Sequence, residues 1–242
     1  MPEAAPTLSI IIPAYQEEKR IGTTLVSVLG YLDRCHPASE VLVVCDGCTD
    51  NTADVARSHQ NQTGCQLRVI EMPRNQGKGA VVKEGMLRAQ GEFLFFTDAD
   101  LSYSPELIDE FLSHLKDGAD VAVAQRQKET KYPGIGRRML AVVSRAVVGN
   151  LVTPGIRDTQ AGFKAFRRVA AEYLFPRQRL KRFLFDLEIL MLARRRGFRI
   201  DKIYVPWVDR PGSTVHLYRD ACRASLDLAL IYWWLLSGQY KP

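Results

Sequence analysis

Two aspartates, Asp98 and Asp100, stand one residue apart in the segment FFTDADLSYSPE, directly after a run of apolar and β-favouring residues. Inside a sheet, an unpaired carboxylate pair is costly to bury. At the exposed end of a strand, the same pair offers hard oxygen ligands to Mg²⁺ or Mn²⁺, with diphosphate oxygens and water to fill the other positions. A helix-capping role is the simpler alternative, but Ser104, followed by Pro105 and Glu106, is better placed to open the next helix.

The elements that must present this pair are legible in the pattern of apolar residues. LSIIIP (8–13) and EVLVVCD (40–46) are near-continuous β-branched runs, as expected of strands covered on both faces. Between them Ile21, Leu25, Val28, Leu29 and Leu32 recur at helical spacing. The alternation continues with a helix in NTADVARSH capped by Asp50, a strand in LRVIEM, a helix in KGAVVKEGMLRAQ, a strand in EFLFFTD, and a helix whose stripe is Ile108, Phe111, Leu112 and Leu115. Such a series predicts an α/β, Rossmann-like, mostly parallel sheet flanked by helices, with ligands bound beyond the carboxyl ends of the strands. PAYQEE, CDGCTD, RNQGKG and TDADLS each follow a strand directly, so four separate stretches are expected to converge on one crevice. The GKG lacks the remaining spacing of a nucleotide-hydrolase phosphate loop.

After about residue 122 we expect a strand in DVAVAQR, a helix in RRMLAVVSRAVVGNLV, a loop in RDTQAGFKAF, a helix in LFDLEILMLARRRG and a strand in IDKIYVPW. No glycine- or serine-rich linker intervenes, which predicts one domain over 1–242: an acidic half (1–121), a second half (122–215) and a carboxyl-terminal helix (216–242). The net charge of +6 divides unevenly, with −8 over residues 1–121 and +14 over residues 122–242. An acidic half suits a cation, and a basic half suits a phosphate or a membrane surface.

Five cysteines, an odd number, argue for a reducing compartment, and Cys45 and Cys48 lack the second pair or histidines that a zinc site needs. MPEAAPTLSIII has neither the basic start nor the long apolar stretch of a secretory signal, which gives a cytoplasmic expectation. The longest apolar candidate, LALIYWWLL, falls short of the ~20 residues of a spanning helix. Tyr232, Trp233 and Trp234, with Arg219 and Arg223, suit a membrane interface instead, and docking on the core or on a second copy is the rival expectation.

The ordered set SIIIPAYQEE, CDGCTDNT, RNQGKGAVVKEG and TDADLSYSPE resembles the inverting family 2 glycosyltransferases of GT-A fold. DTQAGFKAF, RFLFDLEIL and VPWVDRPGST narrow the resemblance to the dolichyl- or polyprenyl-phosphate glycosyltransferases, most closely the β-glucosyltransferase branch. The resemblance implies that Pro13, Tyr15 and Glu17 hold the nucleotide base and ribose, that Asp46 contacts the base, and that Lys78 lies near the nucleotide. It implies that Asp98, Ala99 and Asp100 form the motif that binds Mg²⁺ or Mn²⁺ and the diphosphate. In the second half it implies that Arg126, Arg138 (or Arg137) and Arg210 meet the acceptor phosphate, and that Gln160 and Gly162 form an acceptor or sugar loop. Guanidinium forks suit phosphate oxygens.

Two departures stand out. Ser102 occupies the place where mannosyl-type members often carry glutamine, and CDGC replaces the commoner DDGS. The expected reaction is therefore transfer of glucose from UDP-glucose to a polyprenyl phosphate at a membrane surface, with no nucleic-acid partner. GDP-mannose as donor, a soluble hydroxyl acceptor, or a nucleotide-sugar-binding module are the alternatives. A hydroxyl acceptor needs a general base, whereas a lipid phosphate is already ionised. Asp186 is the candidate catalytic carboxylate of the second half, with Glu188 beside it; their two-residue spacing puts them on different sides of a helix, so at most one faces the site. His216 is a further candidate cation ligand, read more simply as a surface residue.

Overall fold

The β-branched runs pair as a single sheet. The computed structural model describes residues 5–126, 156, 158–182, 184–206 and 217–240. The strands are β1 (Leu8–Ala14), β2 (Ser39–Cys45), β3 (Gln66–Glu71), β4 (Phe93–Thr97), β5 (Val121–Arg126), β6 (Phe163–Arg167) and β7 (Ile200–Val205). They form a seven-stranded sheet in the order β3-β2-β1-β4-β6-β5-β7. The pairs β1–β2, β1–β4, β2–β3 and β5–β7 are parallel. β6 alone is antiparallel, to both β4 and β5.

The helices are α1 (Ile21–Cys35), α2 (Thr52–Arg57), α3 (Lys78–Arg88), α4 (Leu107–Lys116), α5 (Arg168–Arg177), α6 (Phe185–Arg196) and α7 (Leu217–Leu236). Side chains alternate across a strand, so each central strand feeds two cores. Ile10, Ile12, Val41, Val43 and Phe95 pack with Leu25, Leu29, Leu32 and Phe111 on the α1 and α4 face. Ile11, Leu42, Val44 and Phe96 pack with Val82, Phe175, Phe185 and Leu190 on the α3, α5 and α6 face. β2 and β4 are buried throughout, whereas the edge strands β3 and β7 are partly exposed.

Two sequence expectations are corrected and one helix is added. The stretch around Phe163 to Phe166, expected as loop, is the reversed strand β6, buried at four of its five residues. Ser104 does not cap α4 with its side chain; its hydroxyl bonds the Glu106 carboxylate. Helix α5 was not expected, because its apolar stripe is short and Pro176 interrupts it. The expected helix in RRMLAVVSRAVVGNLV lies outside the described residues.

β6 matters most for position. Because it runs against its neighbours, its amino-terminal end lies at the sheet edge where β1, β2, β3, β4, β5 and β7 end. Phe163 pairs with Thr97 there, setting Gly162 beside Asp98. At the opposite edge, the fully buried Glu40 accepts from the Ser9 hydroxyl (2.6 Å) and from Arg68 Nη1 (2.9 Å), while Ser9 Oγ accepts from the Gly91 amide (2.7 Å).

Phe163 is 2% exposed and packs edge-on against Phe111 at 4.8 Å between ring centroids. Phe163→Ala is expected to lower unfolding free energy by about 3–5 kcal/mol in urea denaturation, as for other aromatic truncations in cores.

Candidate active site

Four strand-end loops meet over the sheet edge, tied to one another by hydrogen bonds. Gln16 donates to the Thr49 hydroxyl (2.8 Å) and accepts from the Thr49 amide (2.9 Å), which joins the loop after β1 to the loop after β2. The Glu17 amide donates to the Thr52 hydroxyl (2.8 Å), and the Glu18 amide to Asp50 (3.2 Å). Asp50 in turn accepts from the Thr52 amide at 3.1 Å, but the N-cap of α2 is Asn51, so Asp50 stands one residue before the capping position expected of it. Gln16 has φ +56° and Leu101 φ +54°, the left-handed region that non-glycine residues seldom occupy. Both border the crevice, as strained residues commonly border sites.

Of the residues expected at the nucleotide, Tyr15 is half exposed at the rim and Pro13 is partly buried. Glu17 grips Arg20 with both oxygens (2.6 and 2.7 Å). Asp46, 3% exposed, accepts from the Gln76 amide (2.7 Å) and the Gly77 amide (2.8 Å). Each of its oxygens thus holds the turn that opens α3. That turn requires glycine: Gly77 has φ +102°, and a Cβ there would lie 2.6 Å from the Lys181 carbonyl oxygen.

The turn delivers Lys78 to Asp98, with Nζ 2.5 Å from Oδ1. Burial pulls the Lys78 pKa down, but Asp98, Asp186 and Asp100 outweigh it, and the ammonium is held above its ordinary range. The other Asp98 oxygen faces Gly162 so closely that any Cβ there would overlap it. Asp100 accepts from the Ser102 amide (2.9 Å), and the buried Ala99 carbonyl accepts from Thr24 (2.6 Å), which fixes the motif to α1.

Behind Asp98 lies a buried pair, Lys164 on β6 and Asp186 on α6, 2.6 Å apart and 1% and 5% exposed. Lys164 also donates to the Ala161 carbonyl (2.6 Å). Burial pushes the Asp186 pKa up, against the pull of Lys164 and Lys78, and pushes that of Lys164 down. Glu188 points the other way, as the two-residue spacing implies. It is fully buried and accepts from the Arg179 amide (2.9 Å), the Leu180 amide (2.8 Å) and the Tyr240 hydroxyl (2.5 Å).

Arg126 ends β5 and forms a forked pair with Asp158, one arm of which is 2.9 Å. Asp158 belongs to the DTQAG segment but was not singled out as a site residue, and only the antiparallel return through β6 brings it to Arg126. Gln160 is exposed in the same segment. Arg137, Arg138, Arg210 and His216 lie outside the described residues. Cys45 is buried and its thiol is pushed up to about 12 by burial and by Cys48.

A cation would find Asp98 and Asp100 at the strand tip and, among the described residues, no cluster of three histidine, cysteine or acidic ligands. Two carboxylates with the rest of the shell drawn from phosphate and water is a donor set that fits Mg²⁺ or Mn²⁺.

The family model described as Glycosyl transferase family 2 matches residues 9–175. The chain is 32% identical to a dolichyl-phosphate beta-glucosyltransferase of Trichomonas vaginalis, over 82% of this chain and 63% of that protein. It is 30% identical to the dolichyl-phosphate beta-glucosyltransferase of Saccharomyces cerevisiae, over 97% of this chain and 76% of that protein. With the human enzyme of the same name it shares 32% identity, over 97% and 77% of the two chains. Glucosyl-3-phosphoglycerate synthase from Mycobacterium tuberculosis, solved with Mn²⁺ and UDP-glucose, matches in fold with a TM-score of 0.70 at 18% identity, over 93% of this chain and 79% of that one. The same protein solved with Mg²⁺ and UDP matches with a TM-score of 0.64 at 19% identity, over 85% and 73%.

Asp46→Asn leaves one of the two amides of the turn without a carboxylate acceptor. It is expected to cost about 1.5–3 kcal/mol, the range for hydrogen bonds to charged groups. Hydrogen exchange should report it at Gln76 and Gly77, with the Ser9–Glu40 edge unchanged.

Proposed function

This chain belongs to glycosyl transferase family 2, and from that membership we propose that it transfers glucose from UDP-glucose to a polyprenyl, dolichyl-type phosphate, with inversion at the anomeric carbon. The observation that carries this reading is the carboxylate pair Asp98 and Asp100 at the tip of a buried strand, faced by Lys78, in a chain 30% and 32% identical to two dolichyl-phosphate beta-glucosyltransferases over nearly its whole length.

In this reading Asp98 and Asp100 hold Mg²⁺ or Mn²⁺, with Ala99 between them against the diphosphate. When bound, the cation neutralises charge that grows on the departing nucleotide. Tyr15, Pro13 and Glu17 border the base and ribose. Asp46 acts through the α3 turn by placing Lys78. An acceptor phosphate oxygen forms the new bond to the anomeric carbon from the face opposite the diphosphate, and the electron pair of the breaking bond leaves with UDP.

No general base is needed for an acceptor that is already ionised, and this agrees with the surroundings of Asp186. It is buried, 5% exposed, and its carboxylate is paired with Lys164 at 2.6 Å. We therefore assign Asp186 to positioning Lys164 and, through its charge, Lys78, rather than to proton transfer. Arg126, steadied by Asp158, would meet the acceptor phosphate together with Arg138 and Arg210.

No helix among the described residues is long and apolar enough to cross a membrane. Helix α7 has another asset: Leu226, Leu230, Trp233 and Leu236 are exposed at helical spacing, while Ile231 is buried in the core. Arg179 lies over Trp234, 5.4 Å from its ring centroid. Such a face suits a peripheral seat on the cytoplasmic surface of a membrane, where the lipid acceptor lies.

Incubating the chain with labelled UDP-glucose, GDP-mannose and other nucleotide sugars, each with polyprenyl phosphate, tests donor and acceptor together. Transfer is expected from UDP-glucose, abolished by chelator and reduced about a hundredfold to a thousandfold in a folded Asp100→Asn variant; chelator-insensitive transfer would remove the cation from the reading. Replacing Leu226, Leu230, Trp233 and Leu236 by serine is expected to release the chain from anionic vesicles in co-sedimentation. It should leave transfer to a short, water-soluble prenyl phosphate intact.

A further inference from the structure

The ammonium of Lys78 stands on Asp98, where the proposed cation must bind, and the inference that follows rests on the reading of Asp98 and Asp100 as cation ligands. We propose that Lys78 is a placeholder cation, which occupies Asp98 until a divalent ion and a nucleoside diphosphate arrive together, and which the diphosphate then takes over.

The geometry leaves Asp98 little freedom. One oxygen is on Lys78 at 2.5 Å, and the other is walled by Gly162. One oxygen of Asp100 already takes the Ser102 amide, and Glu17, which feels the charges of both aspartates, is gripped by Arg20. Without the lysine, Asp98 would lose the one ion pair it forms among the described residues, two positions from the charge of Asp100. With it, the strand tip keeps its shape before any ligand arrives.

A divalent ion entering alone gains two carboxylates but must evict the ammonium. After Asp98, the acid whose charge acts most on Lys78 is Asp186, and Asp186 is already committed to Lys164 at 2.6 Å. Lys78 is also the first residue of α3, the positive end of that helix dipole. A cation deprived of its partner in such a place is strongly disfavoured. A diphosphate supplies the missing anion. Metal and nucleotide therefore bind cooperatively, and the coupling is reciprocal: each tightens the other by the same factor.

The test is Mn²⁺ titration of the full chain by calorimetry and by the free-Mn²⁺ paramagnetic resonance signal, with and without UDP, in wild type, Lys78→Met and Lys78→Arg. In the wild type UDP is expected to tighten Mn²⁺ binding about tenfold or more, the change that follows from ~1.4 kcal/mol of coupling. Lys78→Met should bind Mn²⁺ alone about tenfold more tightly than wild type and lose most of the enhancement by UDP, while Lys78→Arg keeps wild-type behaviour. Thermal melts of all three establish that the fold is retained. If the wild type binds Mn²⁺ with UDP but Lys78→Met shows no gain in its absence, the placeholder role is overturned and the cation site stands. If the wild type binds no Mn²⁺ even with UDP, the cation reading and the placeholder fall together.

Discussion

Carboxylates at the tip of a fully buried strand need positive charge close by, and this requirement organises the crevice. Asp98 is answered by Lys78, Asp186 by Lys164, Asp158 by Arg126 and Glu17 by Arg20. Lys78, Lys164 and Arg126 come from α3, β6 and β5, so these three pairs fix how those elements sit around the end of β4, while Glu17 and Arg20 pair within the loop before α1. Asp46 belongs to the same scheme although it forms no ion pair among the described residues: two backbone amides answer its charge, and the answer shapes the turn from which Lys78 departs.

The acids that carry no chemistry are as instructive as those that do. Glu40, on β2, and Glu188, on α6, are both fully buried. Glu40 pins β1, β2 and the start of β4 beneath the sheet. Glu188 ties the residues after α5 to Tyr240, beyond α7, and that same stretch presents the Lys181 carbonyl to the Ala80 amide at 3.0 Å. The end of the chain is thereby fastened to the support of the Lys78 turn, although it lies far from the nucleotide motifs in sequence.

Much of this was legible before any coordinates. β1, β2 and β4 announce themselves because both of their faces are buried, which leaves little but β-branched and aromatic residues in them. The strand-end motifs follow from that alternation, and Asp98 with Asp100 follows from the motifs. β6 was not legible, because a five-residue strand containing a lysine and ending in arginine shows neither period, and it takes Asp186 and the Ala161 carbonyl to make Lys164 tolerable inside. Asp158, Gly162 and Tyr240 were invisible as partners for a common reason: each meets its counterpart across a long loop of chain, and such contacts leave no local pattern. The expected base contact of Asp46 rested on motif position alone, and position does not reveal that both oxygens are taken by amides.

The reversed strand also bears on how the chain divides. β6 belongs to the later, basic half, yet it is laced between β4 and β5, bonded on both flanks. A fragment ending near residue 121 would leave β4, apolar along its whole length, as a bare edge open to another chain. Such an edge invites sheet-to-sheet aggregation. The two halves, so different in charge, share one sheet, and neither is expected to survive as a separate module.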